Sequence, residues 1–251
     1  MAKGSRGGKR GAAGVGGGAA GANPDDIQQA QNVAQTMSAG YNDFLSMTDD
    51  EKADVISSMV TQQVPAHLSD SSFQRFTYNL GLNDKPQLVD DATLNKMSGT
   101  EIYRTVNNVY DRKNDLSYSA DQICKQIQGG RVTRTSDNGG SVYGRGIYFA
   151  DSRSSSTAYG TSRGDIKKTA VVRAKLNDTA KVVSYSQASR GAAAEMKSGS
   201  KLGQSLRKCD SASAVSIYAM SKGYNVISSG HGYYNVLNRQ AMTMSKTISA
   251  K

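Results

Sequence analysis

The chain has 251 residues, of which 37% are hydrophobic, and it carries a formal net charge of +10 at pH 7. This length suffices for one domain with its own core, so a disulfide scaffold is not required. Cys124 and Cys209 lie far apart and lack metal-ligand spacing, which excludes a zinc site and favours incidental cysteines in a reducing compartment. No apolar run approaches the ~20 residues that span a bilayer. We therefore expect a soluble, cytoplasmic protein that has neither a metal nor a membrane partner and is not exported by a secretory signal.

Residues 1–23 consist almost entirely of Gly, Ala, Ser, Lys and Arg. Such a composition buries too little apolar surface to offset chain entropy, so we predict a disordered basic tail. The tail holds four of the excess positive charges, and the remaining +6 is spread over the chain. Charge alone therefore does not indicate sequence-specific nucleic-acid binding. The tail could contact nucleic acid or an assembly, or it could serve as a solubilising spacer.

Residues 24–97 are predicted to form a helical subdomain. Apolar residues recur at helical spacing from Ile27 to Ala34, and Thr48 with Glu51 has the form of a capping box before a second helix. A third helix is predicted over 69–78, before the glycine and asparagine residues of 81–84.

Residues 98–251 alternate short runs rich in Val, Ile and Tyr with clusters of Gly, Ser, Asn and Asp, a pattern typical of strands. The runs lie at 101–106, 146–150, 169–176, 181–185, 224–227 and 233–244. Amphipathic helices are predicted over 120–128 and 212–222, with Gly223 ending the second. The expected fold class is α+β with a mostly antiparallel sheet.

The stretch GRGIYFADSRSSSTAYG, residues 144–160, is the strongest functional feature of the sequence. Its two glycines allow a tight turn and a close approach to the backbone, and an aromatic strand follows them. Ser156 offers a hydroxyl near a predicted helix start, and Tyr159 lies on the same helical face. A hydroxyl beside an aromatic ring suits an amide-bearing ring such as nicotinamide. The structural alternative is a glycine turn, a buried strand and a helix N-cap.

The same residues resemble the nicotinamide-binding signature of the ADP-ribosyltransferase superfamily, which includes poly(ADP-ribose) polymerases and bacterial toxins. In that signature a G-x-G-I-Y-F-A-D run is followed by S-x-S-x-x-Y. The resemblance implies that Ser156 hydrogen-bonds the carboxamide of NAD and that Tyr148 and Tyr159 sandwich its ring. It also implies two small, mostly antiparallel sheets with flanking helices over about 98–246. Gly144, Gly146 and Ser154 also match the signature and are candidate cofactor-binding residues, and Asp151 is a further matching position.

A second part of the resemblance is the segment 102–106, which is similar to the Tyr-Arg-Gly strand of the arginine-type branch. It makes Tyr103, Arg104 and Thr105 candidate cofactor-binding residues. Arg104 would hold a phosphate or ribose of NAD through charge-assisted hydrogen bonds. Thr105 stands where the family has a glycine. The structural alternative is a surface arginine on a strand.

The family's catalytic glutamate has no counterpart in the last predicted strand, where Tyr233 takes its position. A tyrosine hydroxyl could hydrogen-bond a ribose, but it carries no negative charge at neutral pH, so the electrostatic stabilisation of the transition state would be missing. Gln240 and Asp151 are weaker candidates, and Asp151 is more typical of a turn. The candidate catalytic residues are Arg104, Ser156 and Tyr233.

The resemblance implies a mono-ADP-ribosyltransferase that moves ADP-ribose from NAD to a protein or nucleic-acid acceptor and releases nicotinamide. Chain elongation is not expected, because in the family it needs the missing glutamate. The Tyr-Arg form, the size and the tail are similar to bacterial or bacteriophage members, which act in the host cytoplasm after transport in a phage particle. Two alternatives stay open: a catalytically degenerate module that binds NAD or ADP-ribose, and a virion-associated structural protein whose basic tail contacts nucleic acid.

Overall fold

A computed structural model describes residues 40–62, 71–81, 85–111, 116–129, 141–161 and 169–250. All of these lie within one unit of the chain, Met37–Lys251. The tail predicted at 1–23 and the helix predicted around Ile27 lie outside the described residues. Among the residues described, no helix has the length and apolar character needed to cross a bilayer.

The described residues form nine α-helices, which are numbered here in chain order: α1 (Tyr41–Ser46), α2 (Asp49–Thr61), α3 (Ser72–Asn79), α4 (Asp91–Lys96), α5 (Ala120–Gln128), α6 (Arg153–Thr161), α7 (Tyr185–Lys197), α8 (Lys201–Leu206) and α9 (Ser211–Ser221). The predicted capping box is confirmed, since Thr48 Oγ1 accepts a hydrogen bond from Glu51 N while the Glu51 carboxylate accepts one from Thr48 N. Such side chains satisfy the free amide groups at a helix start.

The strands are β1 (Gln87–Val89), β2 (Glu101–Asn107), β3 (Val109–Asp111), β4 (Leu116–Tyr118), β5 (Ile147–Ala150), β6 (Thr169–Leu176), β7 (Val182–Ser184), β8 (Val226–Ser228), β9 (Tyr233–Val236), β10 (Met242–Ser245) and β11 (Ser249–Ala250). Nine of them form one sheet in the order β1-β10-β6-β2-β5-β9-β8-β7, with β11 also paired to β6, and β3 pairs with β4. All pairs are antiparallel except β1 with β10 and β7 with β8.

The expected α+β class with a mostly antiparallel sheet is therefore confirmed. In place of two small sheets, the described residues form one nine-stranded mixed sheet and a two-stranded hairpin. The single strand predicted over 233–244 is wrong in its middle, where the 3₁₀ turn Arg239–Ala241 separates β9 from β10. Asn238 causes this break, because its Oδ1 accepts a hydrogen bond from Gln240 N and so begins the turn.

One group of buried apolar side chains joins helices α1, α2 and α3 to α7, α8 and α9. Phe44 and Phe76 are fully buried at its centre and meet edge to face, with ring centroids 5.5 Å apart. The same group includes Val183, Ile227 and Leu237. Helices α1, α2 and α3 therefore share their core with elements after residue 180, and the segment 24–97 also contributes β1 to the sheet.

A second apolar group lies between α5 and the sheet. Ile123 and Ile127 of α5 pack in one cluster with Ile102 of β2. Because side chains alternate along a strand, Ile102 and Arg104 face α5, whereas Tyr103 and Thr105 face α6. The two strands β2 and β5 pair only at Tyr103 and Ala150. A pocket lies beside this short contact.

Candidate functional site

The pocket has a volume of about 320 Å³ and is lined by side chains from β2, the 3₁₀ turn Ser141–Tyr143, β5, α6 and β9. These elements come from three separate segments of the chain, 101–107, 141–161 and 233–236, and the fold brings their side chains together. The lining includes seven of the residues predicted from the sequence: Tyr103, Arg104, Thr105, Tyr148, Ser156, Tyr159 and Tyr233. The other lining residues are Val142, Tyr143, Phe149 and Ala150.

A pair of hydroxyl groups lies in the pocket wall. Thr105 Oγ1 and Ser156 Oγ are 2.9 Å apart, and either can be the donor. Ser156 is buried, at 5% exposure, because α6 packs across β2. One hydroxyl proton is used within the pair, so the other proton and several lone pairs can serve a ligand. The pair can therefore donate to one ligand atom and accept from another.

Aromatic rings form most of the remaining wall. The rings of Tyr159 and Tyr233 meet edge to face with centroids 6.4 Å apart, and those of Tyr143 and Tyr148 lie 6.5 Å apart. Tyr159 is 42% exposed and Val142 is 68% exposed, so both lie at the mouth of the pocket. Aromatic faces around a cavity favour a planar ligand.

The hydroxyl group of Tyr148 is bound within the protein. It donates a hydrogen bond to Gly144 O at 2.6 Å and accepts one from Tyr143 N at 2.9 Å. Burial raises the pKa of the Tyr148 phenol above its ordinary value, so the group stays neutral. Its hydroxyl therefore holds the turn at residues 143–146.

The two glycines of this turn both have positive φ, +90° at Gly144 and +147° at Gly146. A Cβ atom at Gly144 would lie 2.6 Å from Ser216 Oγ, and one at Gly146 would lie 2.1 Å from Asn235 Oδ1. The close approach predicted at these glycines is thus made by side chains of α9 and β9, behind the pocket wall. Neither glycine lines the cavity.

Ser216 and Asn235 hold this turn from two sides. Ser216 Oγ accepts a hydrogen bond from Arg145 N at 2.7 Å and donates one to Arg145 O at 2.8 Å. Asn235 Nδ2 donates to Tyr143 O at 2.9 Å and to Arg145 O at 3.1 Å. Sequence reasoning missed both residues. The one signal for Ser216 is a serine within the apolar run of α9, and Asn235 gave none.

Arg104 is almost completely buried, at 9% exposure, which excludes the surface-arginine alternative. Its Nη1 donates a hydrogen bond to Tyr148 O at 2.9 Å and so bridges β2 and β5 beside their only residue pair. Arg104 is one of the residues that line the pocket, and its side chain lies on the α5 face of β2. The described lining residues include no Asp or Glu.

The glutamates lie elsewhere in the fold. Glu51 caps α2, Glu101 Oε1 lies 3.3 Å from Arg173 Nε, and Glu195 accepts a hydrogen bond from Ser200 Oγ. The weaker candidates also lie outside the cavity: Asp151 is exposed at the end of β5, and Gln240 is exposed in the 3₁₀ turn before β10. Tyr233 does line the pocket, and it is the residue that the resemblance put in place of the family's catalytic glutamate.

Ser154 is exposed and does not line the pocket, and its Oγ lies 3.2 Å from Ser152 Oγ.

The two cysteine thiols are poor nucleophiles, because burial raises the pKa of Cys124 to about 12 and that of Cys209 to about 11. Within the ranges that the structure covers, no group of three or more His, Cys, Asp or Glu side chains could hold a metal ion.

Comparison with known proteins adds no assignment. No family model matches the chain, and no curated protein or solved structure is significantly similar to it. The features of the pocket that bear on function are therefore the hydroxyl pair, the tyrosine rings and Arg104.

Proposed function

We propose that the pocket binds the nicotinamide end of NAD and that the protein transfers ADP-ribose from NAD to a nucleophilic acceptor, with an ADP-ribosyltransferase-type fold around the site. One observation carries the proposal. Seven of the residues that the resemblance singled out, on β2, β5, α6 and β9, line the same cavity of about 320 Å³. A chance match to a short glycine motif gives no reason for residues of 148–159 to share a cavity with β2 and with Tyr233, which lie in other parts of the chain.

The chemistry of the wall matches nicotinamide. A carboxamide has one acceptor oxygen and an NH₂ donor, and the Thr105 and Ser156 hydroxyls can serve both. Tyr148 and Tyr159 supply aromatic faces for the ring. A small, planar, amide-bearing ring therefore satisfies the polar groups and covers the apolar surface of the pocket.

Arg104 and Tyr233 lie where they can act on the rest of the substrate. The Tyr148 carbonyl holds the guanidinium group of Arg104 where β2 and β5 part. In our proposal the positive charge of this group attracts a phosphate or ribose oxygen of NAD to the gap between the strands. NAD supplies a C–N bond that breaks as nicotinamide leaves, and positive charge develops on the ribose. Tyr233 can offer that ribose a hydrogen bond but no negative charge. We therefore expect slow transfer to the acceptor, and water as an acceptor would give slow hydrolysis.

A second function is binding of NAD or ADP-ribose without turnover. The observation that favours it is the lack of any Asp or Glu among the described lining residues. Preorganised charge is usually the largest contribution to catalysis, so a pocket that lacks a carboxylate can bind without accelerating the reaction.

Mass spectrometry of nicotinamide released from NAD, together with calorimetric titration of NAD, tests both functions. We expect NAD binding and slow release by the wild-type protein. Ser156→Ala and Arg104→Ala should weaken binding, whereas Ser154→Ala is a matched control because Ser154 is exposed on the same helix. Thermal denaturation checks the fold of the Arg104 variant. Binding without release would favour the second function, and no binding at all would overturn both.

A further inference from the structure

A second cavity, of about 140 Å³, lies next to the proposed nicotinamide pocket and shares Tyr103 with it. It has room for about four water molecules at ~30 Å³ each, enough for a phosphate group. Its lining is mainly polar and combines two arginines, Arg153 and Arg173, with the hydroxyl residues Thr247 and Ser249. This lining differs from the tyrosine-rich wall of the first pocket, so the two cavities suit different parts of a ligand.

Arg173 is fixed by its neighbours. Its Nη2 lies 3.3 Å from Asp91 Oδ1 and donates a hydrogen bond to Asn95 Oδ1 at 2.7 Å, while its Nε lies 3.3 Å from Glu101 Oε1. Asp91 Oδ1 also accepts a hydrogen bond from Ser245 Oγ at 2.7 Å. Hydrogen bonds from Ser245 and Thr247 hold the pKa of Asp91 below its ordinary value. Asp91, the carboxylate among the described lining residues, is therefore already bound to Ser245 and offsets the charge of Arg173.

Arg153 brings a second guanidinium group to the same cavity. It is the first residue of α6 and is exposed. It takes part in none of the ion pairs found among the described residues. Asp91 and Glu101 both pair with Arg173, so the guanidinium group of Arg153 is the cation of this cavity that is left to meet an anion.

We propose that this cavity, the Arg153 site formed by Arg153, Arg173 and Ser249, binds a phosphate group. Guanidinium groups present planar pairs of N–H donors that match phosphate oxygens, and these charge-assisted hydrogen bonds are about twice as strong as neutral ones. Ser249 adds a hydroxyl donor.

The phosphate can have two sources. Because Tyr103 borders both cavities, a dinucleotide whose nicotinamide lies in the first pocket can place its diphosphate in the Arg153 site, and this source rests on the proposed function. The other source is a phosphate that enters by itself, either free or on an acceptor molecule. The chemistry of binding is the same for both.

The test is calorimetric titration of four probes, nicotinamide, ADP-ribose, NAD and inorganic pyrophosphate, into the wild-type protein and Arg153→Gln. Arg190→Gln is the matched control, because Arg190 is exposed on α7 and its Nε bonds within its own helix, to Ser186 O. If the diphosphate of NAD binds here, Arg153→Gln weakens NAD and ADP-ribose by about tenfold, the loss of one charge-assisted hydrogen bond, and leaves nicotinamide unchanged.

The outcomes separate this proposal from the proposed function. Binding of pyrophosphate that depends on Arg153, in a protein that does not bind NAD, supports the Arg153 site with a separate phosphate source and overturns the proposed function. Equal affinity of wild type and Arg153→Gln for every phosphate-bearing probe overturns the Arg153 site, even if NAD binds. A parallel loss in Arg190→Gln also overturns it, because general surface charge then explains the effect.

Discussion

Replacing Ser216 with alanine should loosen the turn that carries the pocket wall. Ser216 is completely buried on α9, and its Oγ makes two hydrogen bonds to the backbone of Arg145. Alanine removes both bonds and adds no bulk. The carbonyl of Arg145 keeps a hydrogen bond from Asn235 Nδ2 at 3.1 Å, so the amide N–H of Arg145 is the group that loses its partner.

A buried donor without a partner costs about 1–3 kcal/mol, so the free energy of unfolding should fall by about 2 kcal/mol. For a domain of this size each kcal/mol lowers Tm by about 2–4 °C, which gives a decrease of about 4–8 °C. Because Tyr143 and Tyr148 flank the turn, the same change should displace the pocket wall and weaken NAD binding.

Thermal denaturation followed by circular dichroism measures the first effect, and titration of NAD well below Tm measures the second. Ser221→Ala is a matched control on the same helix: Ser221 is just as buried, but its hydroxyl donates to Tyr218 O within α9 at 2.8 Å. We expect it to lose only about 0.5–1 kcal/mol and to keep its NAD affinity. Equal losses of stability in the two variants would refute the role given to Ser216.

Three further predictions concern single residues of the site. Burial raises the pKa of Tyr148, so its contribution to stability is complete below about pH 10 and is lost as the pH rises further; Tyr148→Phe should flatten this alkaline loss in denaturation curves. Gly146→Ala should cost about 3 kcal/mol or more, because its Cβ would lie 2.1 Å from Asn235 Oδ1. Gly199→Ala, also at positive φ but in open space, should cost less in the same chemical denaturation, and a similar cost would contradict the packing argument. Tyr233→Glu should release nicotinamide at least about tenfold faster than the uncharged Tyr233→Gln, and equal rates in the mass-spectrometric assay would count against the missing-carboxylate explanation.

Elements with strong local signals were predicted well from the sequence. The helix over 120–128 and the strand over 169–176 have the predicted bounds. The helix has a capping serine and apolar spacing, and the strand contains the β-branched residues Thr169, Val171 and Val172 in a largely apolar run. Helix α7 was missed, since its many Ala and Ser residues give no clear apolar stripe and only Ala188 and Ala192 are buried in the core. Strand β1 has three residues and depends on its pairing with β10.

In the candidate site, too, residues with local sequence signals were predicted and residues that depend on distant contacts were not. The predicted lining residues of β2, β5 and α6 lie within recognisable local patterns, so the sequence indicates them, whereas Val142 and Tyr143 were not predicted. Ser216 and Asn235 could not, because their partners in the turn are about 70 to 90 residues away in sequence. The sequence also did not show why residue 146 must be a glycine, because only the fold places the Asn235 side chain of β9 against it.

The most direct test of the central claim is a crystal structure of the protein soaked with NAD. We predict density for the nicotinamide ring between Tyr148 and Tyr159, with its carboxamide within hydrogen-bond distance of Ser156 Oγ. Density for NAD at another surface, or an empty pocket at a concentration that saturates binding in solution, would contradict the claim.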